Sequence, residues 1–82
     1  MNKSEIIKEL KKIFSEVFFD SEYVFSRDLN ADDIDEWDSL THINLIVAIE
    51  KKFDISFTLE ELDSQHNVGD TIDMILVKYN LN

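Results

Sequence analysis

The sequence predicts an all-α fold: a small bundle of three main helices plus one short helix, with a long first loop. Three features point there. The 82 residues contain no proline and one glycine, so few breakers interrupt helices and few tight turns are on offer for a sheet. Apolar residues recur at three- and four-residue spacing in three separate stretches, the period of a helix with a buried face. Thr58 and Asn67 are each followed three residues later by an acidic residue, the signature of a capped helix start. A chain of this length forms one domain, residues 1–82, with a modest core.

The first helix is expected from about Ser4 to Phe18. Ile6, Leu10, Ile13, Phe14, Val17 and Phe18 fall on one face. Glu5 and Glu9 precede lysines at i+3, a minor surface aid. The polar face mixes both charge signs, so this face packs into a core rather than on a membrane.

A connection from about Asp20 to Trp37 follows. Tyr23, Val24, Phe25 and Leu29 are too apolar for a free linker, so it should lie against the bundle with a short helical turn. Its length suits two helices lying roughly parallel, the chain returning from the end of one to the start of the next. Within it, Asp28, Asn30 and Asp32 have the one-three-five oxygen spacing of a calcium loop. The sixth position, which should be glycine, is Asp33, and the twelfth, which should be glutamate, is Ser39. An acidic solvated loop is the better reading, and no metal site is expected.

The most apolar run begins at Ser39. On a helical projection Leu45, Ile49, Phe53, Ile46, Ile43, Val47 and Leu40 span an arc of roughly 220°. An arc wider than an ordinary surface stripe predicts a central helix with neighbours on two sides. Asp38 or Ser39 can cap it, because both side chains accept hydrogen bonds from the free N–H groups of a first turn. Phe53 to Phe57 then alternates apolar and polar; with no partner strand in view, an extended connector burying Phe53, Ile55 and Phe57 is expected. Thr58 and Glu61 form a capping box for a helix of a turn or two, and Asn67 with Asp70 repeats the device for the last. Val68, Ile72, Ile75, Leu76 and Tyr79 make that helix's buried face, and Gly69 permits close backbone packing.

Composition narrows the function classes. The absence of cysteine removes any disulfide or zinc framework, and thiol chemistry would need a thiol brought by a cofactor. The net charge is -10, with half of the basic residues among the first twelve; beyond them 16 acidic and 4 basic residues leave -12. Such a surface repels nucleic acid and anionic membranes and attracts basic protein patches. The longest apolar run, Leu45 to Ile49, is far short of a membrane span. The N-terminus has no signal-peptide apolar region, so a cytoplasmic setting is expected.

Ser39 and His42 lie three apart on one helix side, yet a hydrolase needs a separately supported base and oxyanion donors in a pocket, for which this chain has little material. His66, between two helices, is given no chemical role. Trp37 reads first as a loop aromatic closing over the helix end, and second as an interface anchor.

The Asp38-Ser39-Leu40 centre, the apolar spacing after it and the Glu50-Lys51-Lys52-Phe53-Asp54-Ile55 end resemble the acyl carrier proteins of fatty-acid, polyketide and related pathways. The likeness extends in outline over nearly all of the chain. It implies that Ser39 bears a 4'-phosphopantetheine arm taken from coenzyme A, and that the protein is no enzyme. The arm's thiol would carry acyl or amino-acyl groups as thioesters between enzymes. The implied partners are a phosphopantetheinyl transferase and acyl- or aminoacyl-loading and modifying enzymes, with Asp35, Glu36, Trp37, Asp38, Leu40 and Val47 meeting them and the chain acting as a monomer. A phosphate at a helix N-terminus is favoured by its N–H groups and opposed by Asp35, Glu36 and Asp38, giving an arm tethered but not clamped. Resemblance to fatty-acid carriers also implies an acyl cleft lined by Ile43, Val47, Ile55 and Leu62.

Two departures stand out. Glu36 occupies a place that is usually glycine in housekeeping fatty-acid carriers, and Thr41, Asn44 and Lys51 replace carboxylates of their exposed helix side. A dedicated carrier for a separate pathway is therefore expected. From the residues alone two alternatives stay open: an acidic helical interaction module without a prosthetic group, and a calcium-binding protein using Asp28, Asn30 and Asp32.

Overall fold

A computed structural model describes residues 1–80 and contains four α-helices: α1 (Lys3–Val17), α2 (Ser39–Phe53), α3 (Leu59–Asp63) and α4 (Val68–Lys78). A 3-10 turn, Ala31–Asp33, interrupts the long first loop. Among the described residues there is no strand, and no helix is long and apolar enough to cross a membrane.

Helix α1 starts one residue earlier than its apolar spacing predicts, because Asn2 caps it. The Asn2 side chain accepts from the Glu5 N–H and Glu5 returns the bond to the Asn2 N–H, which satisfies two otherwise orphaned donors. Ile6, Leu10, Ile13 and Phe14 are buried on its inner face, with Phe18 just beyond the helix; Val17 is only half-buried.

The helices do not run as the loop length predicts. Trp37, before the start of α2, packs on Phe18 at the end of α1, with ring centroids 5.3 Å apart. Lys52, at the end of α2, pairs with Glu9 in the body of α1 at 3.3 Å. Helices α1 and α2 are therefore antiparallel. Tyr79, at the end of α4, donates its hydroxyl hydrogen to the Phe53 carbonyl at the end of α2, so α4 runs with α2. The connecting loop is long because it detours. Its Leu29 and Arg27 carbonyls accept from the Val68 and Gly69 N–H groups, both at 2.9 Å, before the chain reaches α2. Leu29 and Ile34 are buried under this loop and Tyr23 and Phe25 half-buried, whereas Val24 faces solvent.

The expected central position of α2 also needs correction. It is α1 that packs against both α2 and α4. One side of the α2 arc, Leu45, Ile46, Ile49 and Phe53, is buried. The other side is not: Leu40, Ile43 and Val47 are 69%, 59% and 48% exposed.

The connector after α2 is extended, with Ile55 and Phe57 half-buried. Asp54 takes a left-handed conformation to end the helix. Thr58 and Glu61 form the expected capping box on α3. On α4 only half of that device is present. Asn67 accepts from the Asp70 N–H, but the Asp70 carboxylate accepts from the His66 N–H instead of that of Asn67. Val68, Ile72, Ile75 and Leu76 are buried and Tyr79 half-buried. Gly69 sits where a Cβ would lie 3.1 Å from the Arg27 Cβ, so its lack of a side chain lets the loop meet α4.

Candidate functional site

Ser39 is the first residue of α2, and Asp38, not Ser39, is its cap. The Asp38 carboxylate accepts from the Thr41 N–H at 3.0 Å, and the Thr41 hydroxyl oxygen accepts from the Asp38 N–H at 2.9 Å. The Thr41 backbone N–H, then its hydroxyl, hold the Asp38 carboxyl below its ordinary pKa. Thr41 therefore belongs to the helix start rather than to an open polar strip. With capping assigned to its neighbours, the Ser39 side chain is exposed at the end of α2 where unpaired N–H groups concentrate positive potential.

The predicted partner-facing residues separate into two groups. Asp35, Asp38 and Leu40, close to Ser39 in the chain, and Val47, two turns along α2, are exposed. Glu36 is half-buried and accepts from the Ser21 hydroxyl at 2.6 Å, tying the two ends of the long loop together. Trp37 is not an open anchor. Its indole packs on Phe14 and Phe18 and stacks on His42, and its Nε1–H donates to His42 Nδ1 at 3.1 Å. This bond also removes His42 Nδ1 as a base for Ser39.

Ile43 joins Leu40 and Val47 to make an exposed apolar stripe at i, i+3 and i+7, which begins at the residue after Ser39 and runs along α2. The resemblance to fatty-acid carriers implies that Ile43 and Val47 line an acyl cleft with Ile55 and Leu62. The pair is instead exposed, and the cavity found beside α2 lies on its other flank. That cavity, of about 90 Å³, is lined by Trp37, His42, Ile46, Gln65 and Thr71 among others.

The candidate calcium loop folds around its own backbone. Asn30 caps the 3-10 turn by accepting from the Asp32 N–H, and Asp33 accepts from the Asn30 N–H. Among the described residues no three His, Asp or Glu side chains converge as a metal-ligand set.

Comparison with known proteins gives a consistent result. A family model described as a phosphopantetheine attachment site matches residues 25–75. An acyl carrier protein of Thermosynechococcus vestitus is 35% identical over 81 residues, covering 92% of this chain and 93% of that protein. The solution NMR structure of the holo acyl carrier protein from Geobacter metallireducens superposes with a TM-score of 0.83 at 44% identity. That match covers 92% of this chain and 86% of the other.

Proposed function

The chain belongs to the acyl carrier protein family, carriers rather than enzymes that bear a phosphopantetheine group, and on that premise we propose Ser39 as its attachment site. The observation that carries this is the division of labour at the start of α2, where Asp38 and Thr41 tie the cap and leave the Ser39 hydroxyl exposed. Of the other serines within the matched span, Ser64 donates to the Glu61 carbonyl, and Ser26 and Ser56 stand outside the helices.

The residues fit the group. A phosphodiester on Ser39 would lie at the positive end of the α2 dipole, while exposed Asp35 and Asp38 oppose close clamping. When bound, the arm supplies a thiol that holds acyl groups as thioesters, chemistry this cysteine-free chain lacks. The chain's own contribution is presentation. Its acidic rim attracts basic partner surfaces, and the Leu40, Ile43 and Val47 stripe offers them apolar contact.

We further propose that the protein delivers acyl or amino-acyl groups between the enzymes of a dedicated pathway, as a monomer in the cytoplasm. The support is the exposed face of α2, where Asn44 and Lys51 flank an apolar stripe, so partners should rely less on basic residues there than partners of a carboxylate-lined helix do.

The test is intact mass after incubation with coenzyme A and a promiscuous phosphopantetheinyl transferase. One 4'-phosphopantetheine should be added to the parent chain and to Ser26→Ala and Ser56→Ala, and none to a folded Ser39→Ala. Addition to Ser39→Ala would show the site to be elsewhere.

A further inference from the structure

The Glu36 carboxylate does not stand free on the acidic rim. It is half-buried and accepts from the Ser21 hydroxyl at 2.6 Å, across fifteen residues of chain. That length is typical of a hydrogen bond to an ionised oxygen, which is roughly twice as strong as a neutral one. Both ends of the tie are held. The Ser21 N–H donates to the Phe18 carbonyl at 3.1 Å, which fixes Ser21 to the end of α1. The Glu36 carbonyl accepts from the Thr41 hydroxyl, and from the Asp38 N–H at 3.0 Å. Thr41 and Asp38 are the pair that starts α2. A line of hydrogen bonds thus runs from the end of α1, through the side chain and then the backbone of Glu36, into the cap next to Ser39. Alongside it Trp37 makes a second, apolar tie to Phe18, with ring centroids 5.3 Å apart. Cutting the polar tie leaves the apolar one in place, so its effect on function can be read apart from folding.

We propose that Glu36 is a positioning residue for the loading of Ser39: its bond to Ser21 holds residues 35–38 in the path from which a transferase engages the Ser39 hydroxyl. Loading joins the Ser39 Oγ to the pantetheine-side phosphorus of coenzyme A and breaks that phosphorus's bond to the bridging oxygen. Adenosine 3',5'-bisphosphate leaves, and the hydroxyl proton passes to the transferase. Glu36 takes no part in that exchange of bonds and acts through the cap. The same tie engages its charge, leaving exposed Asp35 and Asp38 to meet basic transferase side chains. Without the tie, the segment before Ser39 spends part of its time in other arrangements, and affinity for the transferase falls by the fraction lost. This inference rests on the carrier reading and adds to it the residue that sets how well the site is engaged.

The experiment measures steady-state arm transfer by a promiscuous phosphopantetheinyl transferase, at saturating coenzyme A and well below Tm, with the full-length carrier varied. The variants are Ser21→Ala, Glu36→Ala, the double variant and Glu36→Gln. Each alanine variant should raise KM for the carrier by about five- to tenfold, with kcat near that of the parent. The double variant should be no worse than the worse single one, because both cut the same bond. Glu36→Gln keeps an acceptor for the Ser21 hydroxyl without the charge and should stay within about twofold of the parent. An unmoved KM in Ser21→Ala and Glu36→Ala, whatever the change in Tm, would overturn the proposal and leave the bond a purely structural one. A KM raised as far in Glu36→Gln as in Glu36→Ala, with Ser21→Ala like the parent, would also overturn it and make Glu36 a charge contact. Should Glu36→Ala fail to fold, Ser21→Ala against Ser21→Thr decides in its place, since threonine restores the hydroxyl and should restore KM. Absence of transfer to the parent chain would instead sink the carrier reading, so the two failures are distinguishable.

Discussion

The Trp37 indole N–H donates to His42 Nδ1 at 3.1 Å, with the two rings stacked at an interplanar angle of 22°. This contact holds the last loop residue but one to the first turn of α2, while the indole also packs edge-to-face with Phe14 and tilted against Phe18 at the α1 end. His42→Leu keeps bulk but leaves the indole N–H unpaired, and should cost about 1–2 kcal/mol. His42→Gln supplies an acceptor and should recover part of that. Thermal melts with the emission of the single tryptophan as probe check both; equal melts for the two variants would deny the bond its role.

The stripe of Leu40, Ile43 and Val47 carries little of the fold. Leu40→Ser and Val47→Ser should change stability by no more than about 0.5 kcal/mol, as surface substitutions do. If the stripe is the docking surface, the same variants should lower kcat/KM for phosphopantetheinyl transfer by about tenfold, the effect of losing over 1 kcal/mol at a contact. Unchanged transfer kinetics would place docking elsewhere.

Asp38 makes the start of α2 sensitive to acid. Hydrogen bonds from Thr41 lower its folded pKa below the 3.8 expected of the unfolded chain. Its stabilising contribution is therefore complete above about 3.8 and is lost as pH falls through the lower folded value. Tm followed from neutral pH downward should show this loss, shared with Asp73, whose pKa is lowered by its hydrogen bond to Arg27. Asp38→Asn keeps a capping oxygen and should flatten part of the acid limb. A parallel acid limb in that variant would contradict the assignment.

The Tyr79 hydroxyl joins the ends of α4 and α2 by donating to the Phe53 carbonyl at 2.6 Å. Tyr79→Phe should cost about 1 kcal/mol, lowering Tm by about 4–8 °C for a domain of this size. An unaltered Tm would mean that solvent replaces the bond at no cost.

Gly69 meets the Arg27 side chain from inside α4. Gly69→Ala should forfeit much of the roughly 1 kcal/mol that alanine ordinarily gains in a helix. Gly69→Val should lower Tm further and displace the Arg27–Asp73 pair, now 2.8 Å apart. A clear rise in Tm for either variant would show that the loop yields readily.

What the sequence made legible was local. The Thr58–Glu61 box and the helix start at Asp38–Ser39 depend on residues three or four apart and form as read, and of the expected α1 face Ile6, Leu10, Ile13 and Phe14 are buried while Val17 is half-buried and Phe18 lies past the helix. The Asn2 cap was equally local, with Glu5 three residues on, and its signal was available. The direction of α1 against α2 was not local, because the loop's path is set by the Val68 and Gly69 N–H groups some forty residues away. Nor was the fate of the α2 arc. Ile43 and Ile46 are the same residue type three apart, yet one is exposed and the other buried, and only the placement of α1 and α4 decides which. The cavity escaped for the same reason, since Gln65, in the turn between α3 and α4, gives no local sign that it lines a cavity with His42.

Because Asp38 and Thr41 tie the knot that starts α2, the neighbouring hydroxyl can go from bare to laden without that knot coming undone.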